Sequence, residues 1–92
     1  MERMAEREVS VVNRLGLHAR AAAKLVHLAN QFDSRIVLYR DGDEVDAKSI
    51  LGLLTLAATQ GTRLRIVARG EDSEAAVSAL SDLVEGRFGE DA

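Results

Sequence analysis

Arg63-Leu64-Arg65-Ile66-Val67-Ala68-Arg69 is the stretch that decides the fold. Leu64, Ile66 and Ala68 point one way, and Arg63, Arg65 and Arg69 stand out of phase with them, with Val67 the apolar exception. Successive side chains of a strand face opposite sides, so this alternation gives one buried face and one largely wet face. An antiparallel sheet covered by helices on one side only has that pattern. Toward the C-terminus, Asp72 or Ser73 caps a helix whose apolar positions are Ala76, Val77, Leu80, Leu83 and Val84, and Gly86 is placed to end it. Arg87 to Ala92 then reads as a tail. Toward the N-terminus, Ser49 opens a short helix, Ile50 to Leu56, ending near Gly61. Before it, Arg35–Arg40 and Asp43–Ala47 read as two strands joined by the hairpin signal Asp41-Gly42.

The remaining segment supplies one more strand and one more helix. Glu8 to Val12 alternates, Asn13-Arg14-Leu15-Gly16 breaks the pattern, and an Ala-rich helix runs from Ala19 through Phe32. Its apolar stripe is Ala22, Leu25, Val26, Ala29 and Phe32, and Arg20, Lys24, His27 and Gln31 line its other side. The order is βαββαβα, an α+β arrangement of two layers, with a single domain expected over residues 1–92. Residues 1–8 mix both charge signs and read as a loosely ordered extension rather than a signal peptide.

Composition narrows the function. There are no cysteines, which excludes disulfides and thiolate chemistry, and only two histidines, nine residues apart, so no metal site is expected. The formal net charge is -3, and the aromatics are Phe32, Tyr39 and Phe88, which disfavours nucleic-acid binding by charge or by base stacking. No apolar run reaches the roughly 18 residues of a membrane helix. No cofactor loop, catalytic base or nucleophile pair appears, so neither a cofactor nor a stand-alone enzyme is expected.

Gly16-Leu17-His18-Ala19-Arg20 is where chemistry enters. It places His18 at or next to a helix N-cap, where unpaired amides and the positive end of the helix dipole favour an anion. A nucleophilic ring nitrogen beside the amides of Ala19, Arg20 and Ala21 suits a phosphohistidine, and Arg20 adds fixed positive charge. An imidazole titrates near ~6.5 when unperturbed, so neutral ring is available for in-line attack on phosphorus. Taken alone, the pentapeptide also fits a surface histidine, a turn glycine and a solvated arginine.

A second candidate site opens the short helix. Ser49 is placed to cap it, and the same position suits a regulatory phosphate. Ile50, Leu51, Leu53, Leu54 and Leu56 overfill one side of so short a helix, so one or two of Ile50, Leu51 and Leu54 should stay exposed. Together with Ala19, Ala23 and His27 they form a candidate surface for transient partners.

Gly-Leu-His-Ala-Arg after the first strand and Lys48-Ser49-Ile50-Leu51-Gly52 opening the second helix closely resemble HPr. That is the histidine-containing phosphocarrier family of the bacterial phosphoenolpyruvate-dependent sugar phosphotransferase system. The resemblance runs from about Val9 to about Val84. It implies an open-faced β-sandwich with sheet order 1-4-2-3 and three helices on one face. It implies that His18 takes a phosphoryl group on Nδ1 from Enzyme I and passes it to an Enzyme IIA component, while Arg20 neutralises the phosphate. Ser49 matches the serine that HPr kinase/phosphorylase modifies in some bacteria. A cytoplasmic monomer is expected.

One departure stands out: the family usually has Pro-Ala after the arginine, where this chain has Ala21-Ala22. Proline in a first helical turn costs no intrahelical bond, so alanine there implies a small change in stability. It leaves room for a regulatory paralogue not coupled to sugar uptake, a nitrogen-type phosphorelay or a serine-switch protein. A small ligand- or RNA-binding sandwich without phosphorylation is the third reading, which the two motifs and the few aromatics disfavour.

Overall fold

A computed structural model describes residues 2–92. Its elements are β1 (Met4–Ser10), α1 (Ala19–Ala29), β2 (Arg35–Arg40), β3 (Asp43–Asp46), α2 (Ile50–Thr55), β4 (Arg63–Arg69) and α3 (Ser73–Glu85), followed by a 3-10 turn at Arg87–Gly89. The four strands form one antiparallel sheet in the order β1-β4-β2-β3. The alternation of β4 does what its sequence requires. Leu64, Ile66 and Ala68 are buried on the helix-covered face with Val9 from β1 and Ile36 and Leu38 from β2. Ala22, Leu25 and Ala29 of α1, Leu53 of α2, and Ala76, Val77, Leu80 and Val84 of α3 complete that core.

The other face carries polar side chains that bridge strands. Arg63 pairs with Glu8 at 2.9 Å and Arg65 with Glu6 at 3.2 Å, while the Arg65 guanidinium lies 4.5 Å from the centre of the Tyr39 ring. Val67, the apolar exception, sits between Glu6 and Val37 in register and is buried beneath these neighbours. Exposed pairs of this kind contribute about 0.2–1 kcal/mol each, so they set register more than they set stability.

Two expectations for the chain ends are corrected. The first strand runs from Met4 to Ser10 rather than from Glu8 to Val12, so most of the charged extension is an edge strand; Met1 lies outside the described residues. An edge strand draws its stability from backbone pairing with β4, so Ala5 and Val9 suffice as apolar contacts. Val11 leaves the ladder but stays buried, bonded to Thr62 and Gly61. At the other end, Arg87–Ala92 is not a free tail: Phe88 is only 1% exposed.

Smaller differences concern element ends. Beyond Ala29 the amides of Gln31 and Phe32 bond three residues back, so α1 tightens into a turn before Phe32. The second helix stops at Thr55, and Ala57 is left-handed at φ 50°. β3 ends at Asp46, and Ala47 is buried, its amide bonded to Ile36. Asp72 is the N-cap residue of α3, but its side chain serves the turn after α1. Its carboxylate accepts from the amides of Asp33 and Ser34, at 2.8 and 3.0 Å, and from the Ser34 hydroxyl.

Candidate functional site

The loop from Val11 to His18 is built to deliver one ring. Gly16 takes a left-handed conformation, φ +67°, and a Cβ there would lie 2.5 Å from the Ala58 carbonyl oxygen. Only glycine meets both demands without strain. Leu17 is buried, and its amide donates to the same Ala58 carbonyl at 2.8 Å. His18 is then the N-cap residue of α1, in an extended conformation, and its carbonyl accepts from the Ala22 amide at 2.8 Å. The amides of Ala19, Arg20 and Ala21 precede that first intrahelical bond.

The His18 side chain does not cap the helix. Instead its Nε2 lies 2.6 Å from Oε2 of Glu90, with the His18 side chain 27% exposed and that of Glu90 16%. The other carboxylate oxygen, Oε1, accepts from Nδ2 of Asn13 at 2.9 Å. Asn13 is fully buried and uses the same nitrogen to bond the Gly16 carbonyl at 2.8 Å. These donors hold the Glu90 carboxyl below the usual carboxylate range, the His18 ring contributing most and the Asn13 amide next.

Glu90 reaches the ring because the chain after α3 turns back on itself. Arg87 and Phe88 are both left-handed, at φ 61° and 53°, and Phe88 plugs into the core. Lys24 of α1 clamps the turn, its Nζ donating to the Phe88 carbonyl at 2.6 Å. The Arg14 amide donates to the Ala92 carbonyl at 3.0 Å, closing the far side of the same loop.

The other candidate residues fall into two groups. Arg20, Ala19 and Ala23 are exposed on α1, while Ala21 is buried as the third helical residue. The ion pairs among the described residues are His18–Glu90, Arg63–Glu8 and Arg65–Glu6, so the Arg20 guanidinium is not committed to a carboxylate. Ser49 caps α2, its Oγ accepting from the Gly52 amide at 3.1 Å. Ile50, Leu51 and Leu54 are all exposed, Leu51 at 73%, while Leu53 and Leu56 fill the core. α2 packs beside α1, on which His27 is also exposed, so the six residues of the candidate surface lie on two adjoining helices.

The sequence reading missed Glu90 and Asn13 as members of the His18 group, and Lys24 as the clamp on the turn that brings Glu90 back. Phe88 was the available signal, since a large aromatic between Gly86 and Gly89 has no reason to stand in a solvated tail. A cleft of about 330 Å³, lined by residues including Ser34, Glu44 and Lys48, touches none of the His18 group. Among the described residues no cluster of three metal-ligating side chains occurs, and no helix is long and apolar enough to cross a membrane.

The model of the family described as "PTS HPr component phosphorylation site" matches residues 5–86. The chain belongs to the HPr family. Phosphocarrier protein HPr of Xylella fastidiosa (strain Temecula1) is 53% identical over 88 residues, which cover 96% of this chain and 99% of the relative. Phosphocarrier protein NPr of Shewanella violacea is 42% identical over 85 residues, covering 92% and 93% of the two chains. Among solved structures, HPr-C-His from Thermoanaerobacter tengcongensis superposes with a TM-score of 0.92 at 42% identity, covering 96% of this chain and 99% of that one. As a member of the HPr family the chain is a phosphocarrier of the phosphotransferase system rather than a catalyst. The expected open-faced sheet order and helix placement are those of the family.

Proposed function

We propose that this HPr-family protein carries a phosphoryl group on Nδ1 of His18, receiving it from Enzyme I and giving it to an Enzyme IIA component in the bacterial cytoplasm. The observation that supports this most is the occupation of Nε2 by Glu90, which leaves Nδ1 as the ring nitrogen free of any hydrogen bond among the described residues. The first-turn amides of Ala19, Arg20 and Ala21 supply donors for the phosphate oxygens. Arg20 supplies mobile positive charge as the phosphorus passes between nitrogens.

Docking to two unlike partners in turn calls for a small, weak and partly apolar interface. Ala19, Ala23, His27, Ile50, Leu51 and Leu54 form that surface in this reading. Ser49 is its regulatory position: a phosphate on Oγ would stand at the N-terminus of α2 beside the exposed aliphatics and put charge where a partner must bury apolar area. The kinase/phosphorylase that modifies such serines in some bacteria is the corresponding third partner.

The decisive experiment is incubation with Enzyme I, magnesium and labelled phosphoenolpyruvate, for the natural chain and for His18→Ala. Acid-labile, base-stable label is expected on the natural chain and none on the variant. A folded natural chain that stays unlabelled with several Enzyme I sources overturns the reading. A second reading, a regulatory phosphorelay, is favoured by one observation, the 42% identity to the NPr of Shewanella violacea. Presenting the phosphorylated chain to sugar-type and nitrogen-type IIA proteins separates the two by which one takes the label faster.

A further inference from the structure

On the sheet face turned away from the helices, arginines are matched with carboxylates except at one row. Arg63 stands opposite Ser10 in register and pairs with Glu8; Arg65 stands opposite Glu8 and pairs with Glu6. Arg35 and Arg69 stand directly opposite each other on β2 and β4, and both are exposed. Among the described residues neither makes an ion pair. Glu2, which would continue the diagonal toward Arg69, precedes β1 and makes no ion pair either. Like charges directly opposite in a sheet are destabilising, so this row costs stability as it stands. A hollow of about 110 Å³ opens beside the two guanidiniums, lined by Val37 and Val67 and reaching Tyr39 and Glu44. Glu44 is opposite Tyr39, two rows from the arginines, and pairs with neither of them.

We infer that this end of the sheet is a second docking surface, and that its occupant is an acidic side chain on an exposed segment of a partner protein. Two guanidinium forks side by side match the oxygens of a carboxylate and lose their mutual repulsion when one is bound. Val37 and Val67 offer apolar surface to the methylenes behind that carboxylate, and Met4, opposite Arg69 and 48% exposed, extends it. Size decides between a metabolite and a side chain. Small-molecule sites hold roughly 300–1,000 Å³, and this hollow holds about 110 Å³, room for one side chain. A second copy of the chain does not fit, because a two-fold contact centred on the pair sets these arginines against their own copies. His18, Ser49 and the exposed Ile50, Leu51 and Leu54 belong to the helix layer on the other side of the sheet. A partner held by Arg35 and Arg69 therefore leaves them uncovered, and the chain can carry it while other proteins use the helix layer.

The test titrates the ¹⁵N-labelled natural chain at low salt with a short capped peptide alternating glutamate and valine, and with the same peptide carrying glutamine. The glutamate peptide should shift the amides of Arg35, Val37, Val67 and Arg69, and the shifts should shrink as salt rises, because the pair is exposed. Arg35→Gln and Arg69→Gln should each weaken binding roughly fivefold. Arg35→Glu gives Arg69 a carboxylate of its own and should abolish binding. The same variant should melt higher than the natural chain at low salt, since a repulsive cross-strand pair becomes attractive, so lost binding is not lost fold. Phosphoryl labelling should be unchanged in all three variants. A glutamate peptide that leaves these amides unmoved, or that binds Arg35→Glu as well as the natural chain, overturns the proposal. Equal binding of the glutamine peptide overturns it too, by making the hollow an apolar contact alone. Equal shifts with inorganic phosphate do the same, by making it a site for any small anion.

Discussion

Single residues in the His18 loop carry constraints that a side chain elsewhere would not. Gly16 is the clearest, because its left-handed φ and its approach to the Ala58 carbonyl act together. Gly16→Ala is expected to destabilise the fold by about 1–2 kcal/mol in urea titrations. It should also lower the rate of labelling at His18, since the loop can relieve the contact only by moving the ring. An equal labelling rate with wild-type stability would contradict this account. Ala21 shows the opposite situation. It is buried in the first turn, and its amide precedes the first intrahelical bond, from Ala22 to the His18 carbonyl, so it takes no part in the helix's own hydrogen bonding.

At the scale of elements, α2 is the least self-sufficient. It has six residues, contains Gly52, and leaves three aliphatics outside the core. Isolated helices of that length are unstable, so packing through Leu53 and the Ser49 cap must hold it. Ser49→Ala should therefore cost about 1 kcal/mol, and Ser49→Asp, a comparable cap, should recover most of it in the same unfolding assay. If both variants unfold with the natural chain, Ser49 does not support the helix, and its hydroxyl is better explained by modification alone. The same marginality suits a docking element, whose local opening costs less than global unfolding.

Across the whole molecule, one acidic residue links helices distant in sequence. The Ser34 hydroxyl first, and the Asp33 amide next, hold the Asp72 carboxyl below the usual carboxylate range near 3.9. A depressed carboxyl contributes stability that is complete above its unfolded-state value and is lost as pH falls through the lower folded value. The melting temperature should thus fall on acidification below about 4. Asp72→Asn should melt lower at neutral pH and lose less on acidification; parallel pH curves for the two proteins would refute the link.

Legibility in the sequence followed range. The β2–β3 hairpin, the alternation of β4, the α3 boundary at Gly86 and the Ser49 cap depend on neighbours a few residues away, and each could be read directly. The edge strand β1 could not, because its pairing with β4 comes from backbone bonds across about sixty residues. His18 and Glu90 are 72 residues apart, and no local pattern announces a contact of that range.

The hydrogen bond from the Arg14 amide to the Ala92 carbonyl bears on how the protein is handled at the bench. Any affinity tag or fusion partner attached after Ala92 would emerge beside the loop that presents His18. Recombinant versions should carry such additions ahead of β1, where Met4 is paired with Arg69 at the far end of the edge strand from Ser10.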